Sequence, residues 1–332
     1  MVTTLTKITA ASGPAIPLAG KGRELITAAR RQAGRIAALL ALALLVSACS
    51  AIKLGYENLP RLVEWQADRY LSLDADQEAL VIRHATTLQR WHRQNLLPVY
   101  AEFLRQVEEE LRNPVTAGQV AEWRQTVVTG WAPLAEQLAP AVAEVAVTLR
   151  PEQLAHLREA IVKSNAKAAR EYRPADPAKR KTARYKRLVE RAESLLGDTN
   201  DAQKQLMRES AAAMATDEDA WWQSRLARQE AILALLGSLS TEKPQAAEAT
   251  RRTRLALAGL FSHHDAAPAS RPVTATPESA RHRALRKDVQ AASAAGDDLT
   301  VGVLALATPE QRRHMIKRLD GYREDFHLLA AR

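Results

Sequence analysis

Apolar residues recur at steps of three and four along the segment 74–113. The recurring positions are Val81, Ala85, Leu88, His92, Leu96, Val99, Phe103, Val107 and Leu111. This spacing predicts one buried face of an amphipathic helix, because three and four residues are close to one helical turn. Pro98 falls inside the segment and predicts a kink, or a split into two helices, near Leu97.

Five short segments place a residue at a helix start three positions before a glutamine. They are DADQ at Asp74, TAGQ at Thr116, RPEQ at Arg150, NDAQ at Asn200 and TPEQ at Thr308. The side-chain oxygen of an N-cap residue accepts a free backbone N–H, and a glutamine at the third helical position reaches back to the cap. RPEQ is a degenerate copy, but its proline suits the first helical position. The five segments therefore predict five helix N-termini, and their irregular intervals argue against a solenoid repeat.

Periodicity and caps together predict ten helices and no strand. The predicted segments are 57–72, 75–112, 117–148, 151–171, 177–196, 201–214, 217–239, 244–261, 278–294 and 309–330. Pro133 and Pro140 are expected to bend the third of these helices. Only 13 glycines occur in 332 residues, and alanine, leucine and glutamate are abundant, which favours helix. The predicted fold is all-α, an elongated multi-helix bundle with long kinked helices.

The segment 262–279, SHHDAAPASRPVTATPES, contains three prolines and almost no large apolar residue. This composition predicts a flexible linker. We therefore divide the chain into a leader (1–48), a lipidated tether (49–56), a helical body (57–261), the linker (262–279) and C-terminal helices docked on the body (280–332).

The apolar run 36–46, IAALLALALLV, ends three residues before the only cysteine of the chain. Arg30, Arg31 and Arg35 precede the run, which is the pattern of a cleaved export signal peptide. The run is too short to span a membrane, which takes about 20 apolar residues. Residues 1–29 are long for such a leader, and we interpret them as an extension from a misassigned start codon.

The segment Val46-Ser47-Ala48-Cys49 resembles the lipobox of bacterial lipoproteins. The resemblance implies cleavage between Ala48 and Cys49, a diacylglycerol on the Cys49 thiol, and an acyl chain such as palmitate on the new amino terminus. Serine rather than aspartate after the cysteine implies sorting to the outer membrane, facing the periplasm. The alternative is a buried helix with a free thiol as filler, which the basic flank and the uniqueness of the cysteine disfavour.

Removal of the leader changes the charge of the chain. The formal net charge is +9, but the leader alone holds six Lys or Arg residues and one acidic residue, Glu24. About +4 therefore remains on the mature chain, which argues against a nucleic-acid-binding protein, since such a protein keeps a concentrated basic face. With Cys49 lipidated, no cysteine is left for a disulfide, so packing alone must hold the body together.

The stretch 91–103, WHRQNLLPVYAEF, is the most distinctive internal segment. Trp91, His92 and Tyr100 are predicted to form a structural cluster. His84 and His92 are about two helical turns apart and share a face, so a metal or proton-relay site is the alternative to a core histidine. No His/carboxylate pair with zinc-protease spacing occurs there, which favours the structural interpretation of His92.

Three other segments carry polar or aromatic side chains of interest. His263 and His264 could ligate a metal, Trp221 and Trp222 could form a ligand platform, and 180–187, RKTARYKR, could touch phosphate or anionic headgroups. A solvated loop, a helix interface and a solvated helix face are the favoured interpretations of these segments. A Gly-rich phosphate loop and a nucleophile elbow are both missing from the sequence, so we expect neither an enzyme nor a bound cofactor or metal.

Three segments carry a resemblance to a known family. They are GYENLPRLVEWQADRYLSLDADQ (55–77), LQRWHRQNLLPVYAEFL (88–104) and LRPEQLAHLREAIVKSNAKAAREY (149–172). They resemble a family of proteobacterial lipoproteins known as domain of unknown function 6279. The resemblance implies an all-helical lipoprotein and supplies no reaction. The TPEQ pattern is also similar to the Leu-Thr-x-x-Gln motif of small periplasmic stress chaperones, although helix capping explains it without common descent.

The sequence thus predicts a non-enzymatic binding or scaffolding protein of the cell envelope, anchored through lipid on Cys49. Its expected partners are the membrane and an envelope protein or peptide, with no nucleic acid. A periplasmic helical chaperone or envelope-stress factor is the alternative, and a hydrolase of envelope polymers is a third. The sequence leaves the oligomeric state open.

We predict that Cys49→Ser abolishes lipidation and leaves the precursor uncleaved after Ala48, because only a thiol can form the thioether. Metabolic labelling with a fatty acid, followed by electrophoresis of the precursor and the mature form, measures both effects. Equal labelling of the wild type and the variant would contradict the lipobox.

Overall fold

A computed structural model describes residues 53–213, 217–262, 291 and 293–332, which belong to one compact unit, Lys53–Arg332. All regular secondary structure in these residues is helical, which confirms the all-α prediction. Residues 53–57 are already helical. The leader with Cys49 lies outside the described residues, as do His263, His264 and most of the predicted linker and of the predicted helix 278–294.

Twelve further helices follow along the described chain. They are α1 (Leu59–Leu71), α2 (Ala75–Asn95), α3 (Leu97–Glu110), α4 (Ala117–Thr129), α5 (Trp131–Ala146), α6 (Pro151–Tyr172), α7 (Pro177–Leu196), α8 (Asp201–Ala213), α9 (Asp217–Glu242), α10 (Ala246–Ser262), α11 (293–305) and α12 (Pro309–Ala330).

The predicted split at Pro98 is confirmed, but one position of the predicted buried face is wrong. Helix α2 ends at Asn95 and α3 restarts at Leu97, with Pro98 in its first turn, where no N–H is needed. Val99 is 56% exposed, whereas Leu97 and Ala101 are buried. The restart gives α3 its own buried face, displaced from that of α2, so a single stripe could not continue through Val99.

The predicted third helix breaks at a glycine and not at its prolines. Helix α4 ends at Thr129, and α5 begins after Gly130. Glycine is among the weakest helix formers, so the chain can end one helix there and start another. Pro133 lies in the first turn of α5, where proline is tolerated, and Pro140 lies within α5. The predicted helix 278–294 overlaps α11, whose helical residues continue past the predicted end to residue 305.

The helices pack as two groups, which we call the first and second lobes. In the first lobe, α1 packs on α2 and α6, α2 and α10 pack on α5, and α9 contacts α5, α6 and α10. In the second lobe, α12 packs on α3 and α7, and α7 packs on α8. Buried Val303 of α11 and partly buried Trp123 of α4 complete the core of the second lobe. Helix α12 therefore docks on the body.

Side-chain size separates the two cores. The core of the second lobe is built around large buried side chains, including Leu111, Met207 and Met315. The buried core of the first lobe consists largely of alanines, with Ala143, Ala146 and Ala249 around Leu239. Alanines let α5 and α10 approach closely, but they supply little volume to fill the rest of the lobe.

A pair of buried glutamines joins the starts of α2 and α6; we call Gln77 and Gln153 the first glutamine pair. The Nε2 of Gln77 donates to the Oε1 of Gln153 at 3.1 Å, and the Nε2 of Gln153 donates back at 2.7 Å. Each oxygen also accepts the backbone N–H of its own N-cap residue, Asp74 or Arg150. The predicted capping glutamines therefore also make a tertiary contact.

Each glutamine of the first pair also donates its second amide hydrogen to a backbone carbonyl just before the helix of its partner. Gln77 donates to the Thr148 carbonyl at 3.1 Å, just after α5, and Gln153 donates to the Ser72 carbonyl at 2.9 Å, just after α1. The N-cap residues are joined too, because the Arg150 guanidinium donates to the Asp74 carboxylate. Arg150, the N-cap residue of α6, thus stabilises the carboxylate of Asp74, the N-cap residue of α2. This hydrogen bond lowers the pKa of Asp74.

The second lobe repeats the arrangement with the second glutamine pair, Gln203 and Gln311, at the starts of α8 and α12. The two carboxamides exchange hydrogen bonds of 3.2 and 2.9 Å. Gln203 also donates to the Val303 carbonyl at 3.0 Å, and Gln311 donates to the Asp198 carbonyl at 2.6 Å. Gln203 is completely buried.

We predict that Gln203→Leu lowers the free energy of unfolding by about 3 kcal/mol, because it leaves the Gln311 carboxamide and the Asn200 N–H buried without their partner. Gln119→Leu is the matched control, since Gln119 closes the same kind of capping box at Thr116 but sits beside the carboxylate of Glu110 instead of a partner glutamine. The control should cost about 1 kcal/mol or less. Urea unfolding monitored by circular dichroism measures both changes, and equal losses would show that capping alone matters.

Candidate functional site

An apolar cavity of about 420 Å3 lies inside the first lobe. Five helices line it: α1, α2, α5, α9 and α10. Helix α1 contributes Leu59, Val63, Ala67 and Leu71, which recur every four residues and so share one face. This volume is within the usual range of ligand-binding pockets, about 300–1,000 Å3.

Leucine and valine make up most of the cavity lining, and three alanines add short side chains to it. Ala67 of α1, Ala85 of α2 and Ala141 of α5 lie in its lining. Protein cores are normally filled to the density of organic crystals, whereas this cavity is partly open to solvent, and Val63 in its lining is 39% exposed. Contacts of the surrounding side chains are lost across it, and an apolar occupant would restore them.

The lining offers contact area and almost no hydrogen bonding. Of the described residues that line the cavity, His84 alone carries a polar side chain. Its Nε2 lies 2.8 Å from one oxygen of Glu144, and Arg83 donates to the other oxygen at 2.8 Å. Glu144 thus joins α2 to α5 through two side chains. Such a lining suits binding of an apolar group, whereas chemistry on a polar substrate would need more polar side chains than His84 supplies.

His92 lies in a separate aromatic cluster where α2, α3 and α12 meet. Its Nδ1 is 2.9 Å from the hydroxyl of Tyr56. Its ring centroid lies 5.7 Å from that of Tyr56 and 5.6 Å from that of Tyr100, whose ring in turn contacts Phe326 at 6.1 Å. Burial lowers the pKa of His92 and raises the pKa of both tyrosines. The cluster therefore favours a neutral imidazole that ties the segment before α1 to α2.

The other predicted members of this region separate in space. Trp91 is half-buried and, being next to His92, projects about 100° away around the helix. His84 and His92 turn to different partners, Glu144 and Tyr56, and so do not converge. The two histidines therefore do not form the shared site that a metal or a proton relay would need.

The basic and aromatic segments meet near the end of α6. The rings of Trp221 and Trp222 lie 6.2 Å apart, and Trp221 is 41% exposed. The guanidinium of Arg173 lies over Trp222 at 5.6 Å, and that of Arg187, within the basic segment 180–187 of α7, lies over Tyr172 at 4.9 Å. The arginines are therefore stacked on aromatic faces, which occupies the rings that a ligand would use.

The described residues hold neither a membrane-spanning helix nor a metal-binding group of side chains. No helix among them is long and apolar enough to cross a bilayer. No group of three or more His, Cys, Asp or Glu side chains among them is placed to hold a metal ion.

Sequence reasoning missed the cavity. Its lining residues look like ordinary core positions in the sequence. The one available signal is the spacing of Leu59, Val63, Ala67 and Leu71, which marks an apolar face on α1. The spacing does not show that this face lies over an open space.

Comparison with known proteins gives a family without an activity. The model of one family, described as a family of unknown function (DUF6279), matches residues 69–257, more than half of the chain. The match begins in α1 and ends in α10, so it includes most of the elements around the cavity. Among curated proteins and among solved structures, nothing matches.

We predict that the stability of the protein falls as the pH drops below about 6.5, in part because of His92. Burial holds the folded-state pKa of His92 below its ordinary value, so the unfolded chain binds the proton first and acid favours unfolding. Well above pH 6.5 both states are neutral and the effect vanishes. Unfolding midpoints from pH 8 to pH 5 should fall less steeply for His92→Phe than for the wild type. A slope in His92→Phe that equals the wild-type slope would contradict the assignment of the effect to His92.

Proposed function

This chain belongs to the family of unknown function DUF6279, and from the cavity of its first lobe we propose that it is a non-enzymatic binding protein for an apolar ligand. The proposed ligand is the acyl chain of a lipid. We propose further that the protein is a lipoprotein of the cell envelope, anchored through Cys49 in the outer membrane and facing the periplasm. The observation that carries the binding proposal is the apolar cavity of about 420 Å3.

The lining selects for a chain of methylene groups. Each buried methylene contributes about 0.8 kcal/mol, so a chain of several methylenes gains enough to offset the cost of ordering it. A ligand rich in polar groups would lose its hydrogen bonds with water and regain almost none, since His84 alone could offer one. An acyl chain combines a long apolar body with a single polar end.

The charged side chains beside the cavity suit such a polar end. The Arg83 side chain is 63% exposed and the Glu144 side chain is 50% exposed. Both lie next to His84. A lipid whose chain enters the cavity could therefore leave its head group in water near these three side chains. Because Glu144 already pairs with both Arg83 and His84, neither of these two side chains demands one particular head group.

The envelope location rests on the chain before the described residues. A basic flank, an apolar run of export-signal length and Val46-Ser47-Ala48-Cys49 support it. The lipid on Cys49 would make the membrane the first partner of the protein, and several acyl chains would make that attachment durable.

A chaperone is the second candidate, because the same cavity could accept apolar side chains of an unfolded client. The exposed apolar residues of α1, Leu62 and Trp65, would extend such a surface. The two candidates differ in their ligand. A chaperone suppresses aggregation of a denatured client at near-stoichiometric ratios, whereas a lipid-binding protein leaves light scattering by the client unchanged.

We predict that Ala141→Phe weakens binding of a fluorescent fatty acid about tenfold or more, because the ring occupies the cavity and overpacking typically costs 1–3 kcal/mol. Ala155→Phe is the control, since Ala155 is exposed on α6 away from the lining. Fluorescence titration measures the affinity, and thermal melts verify that both variants fold. Strong binding by the wild type that Ala141→Phe leaves unchanged would exclude this cavity, and no binding by the wild type would exclude the acyl-chain ligand.

A further inference from the structure

We infer that the outer face of α1 lies on the surface of a phospholipid bilayer. The face is formed by Leu54, Arg61, Leu62, Trp65 and Arg69, and we call it the outer stripe. This inference rests on the proposed anchor at Cys49. It assigns the bilayer itself as the partner of a surface of the folded body, in addition to the attached acyl chains.

The outer stripe exposes large apolar side chains on one side of α1 and of the helical residues 53–57 before it. Leu54 is 62% exposed, Leu62 is 48% exposed and Trp65 is 57% exposed. Backbone hydrogen bonds from Asn58 to Leu54 and from Leu62 to Asn58 continue the helical path between these residues. At about 100° per residue, the three side chains fall within an arc of about 80°. Single exposed apolar residues are ordinary, but a contiguous row of this kind marks an interaction surface.

Helix α1 is apolar on its inner face as well. Leu59, Val63 and Ala67 point to the cavity, and no residue of α1 is fully buried. A surface helix of a globular protein normally turns a polar face to water. The two apolar faces of α1 are therefore explained when the inner face covers the cavity and the outer face lies on a second apolar phase.

The polar side chains around the outer stripe suit a membrane interface. Arg61 and Arg69 are exposed, and the Arg69 guanidinium lies over the Trp65 ring at 5.9 Å. Tryptophan with neighbouring arginines is typical of helices that lie at the level of lipid headgroups. Two of the three acidic side chains in residues 53–71 contact other parts of the protein. Glu57 pairs with Arg332, and Asp68 accepts the Leu73 N–H at 2.9 Å. The third, Glu64, is half-buried.

The predicted tether, 49–56, is shortened because residues 53–57 are helical, so only a few residues separate Cys49 from the folded chain and α1 has little freedom to move away from the bilayer. Cys49 precedes Lys53 by four residues, which span at most about 14 Å when fully extended. Lys53 is itself held to the body, because its Nζ lies 2.9 Å from the carboxylate of Asp325, a residue only 2% exposed. Acyl chains on Cys49 would therefore bring the start of α1 to the headgroup region, and the apolar row begins there.

This placement also defines where a lipid chain would enter. In this placement α1 contacts the bilayer with one face and the cavity with the other. The bilayer and the cavity are then separated by the diameter of one helix, about 10 Å. The bilayer thus becomes the source of the acyl chain proposed for the cavity.

The test uses the full lipidated protein reconstituted in vesicles that contain brominated phospholipid, which quenches tryptophan fluorescence only within the bilayer. Wild-type fluorescence should be quenched in part, and Trp65→Phe should remove most of the quenchable component. Trp131→Phe is the matched control, since Trp131 is 47% exposed on α5 and outside the outer stripe. Its quenching should equal that of the wild type. Quenching that is absent in the wild type, or that persists in Trp65→Phe, would overturn the inference.

Flotation of the same samples separates this result from the anchor. The wild type, Trp65→Phe and Trp131→Phe should all float with the vesicles, because the acyl chains on Cys49 suffice for attachment. Flotation without quenching of Trp65 overturns the bilayer-facing stripe and leaves the anchor standing. A wild-type protein that does not float overturns the anchor, and the inference with it. A third arm replaces Leu54 and Leu62 by glutamate and keeps Trp65 as the reporter, which should reduce the quenching of Trp65 while fatty-acid binding in solution stays within about twofold, a change near 0.4 kcal/mol.

Discussion

The reciprocal hydrogen bonds between buried glutamines decide which helix ends meet in this protein. A carboxamide has one oxygen with two acceptor sites and one NH2 with two donors. In the first glutamine pair, each oxygen takes the N-cap N–H and one amide hydrogen of the partner, and the NH2 is shared between the partner and a carbonyl of the entering chain. Those carbonyls belong to Ser72 and Thr148, directly after α1 and α5. The pair therefore positions two walls of the cavity, α1 and α5, against the starts of α2 and α6.

The same arrangement occurs in both lobes, and only the filling differs. The second glutamine pair joins the starts of α8 and α12 to the chain after α7 and to the last turns of α11. There, large side chains such as Met207 and Leu319 fill the space between the helices. In the first lobe, the cluster of buried residues is largely alanine around Leu239, and an apolar cavity lies among the helices of the same lobe. One way of joining helices thus supports a filled lobe and a lobe with room for a ligand.

Helix α1 connects the proposals about binding and membrane contact. Its contacts are with α2 and α6, and it has apolar residues on both sides. Apolar contact is non-directional, so the cavity would hold the acyl chains of lipids with different head groups. Access to the bilayer would then decide which lipids reach the cavity. The aromatic cluster around His92 and the Lys53–Asp325 ion pair keep the chain before α1 on the body, so α1 remains between the cavity and the proposed bilayer.

The sequence by itself determined the features whose cause is local. The capping boxes at Asp74, Thr116 and Thr308 were predicted because their hydrogen bonds close within four residues. The break at Pro98 followed from the missing N–H of proline. The all-helical fold class was predicted from periodicity, since each amphipathic stripe is contained in its own helix. The export leader and lipobox are likewise local patterns, and they stay predictions because Cys49 lies outside the described residues.

The tertiary structure decided everything that depends on residues far apart in the chain. Gln77 and Gln153 are 76 positions apart, and nothing near either glutamine shows which partner its amide faces. The exposure of Val99 depends on how α3 turns against α12 after the break. The cavity is formed by side chains of five helices together, so no single helix shows it. Packing depends on the side chains of several helices at once, whereas a helix cap or a proline break depends on a few residues that are neighbours in the sequence.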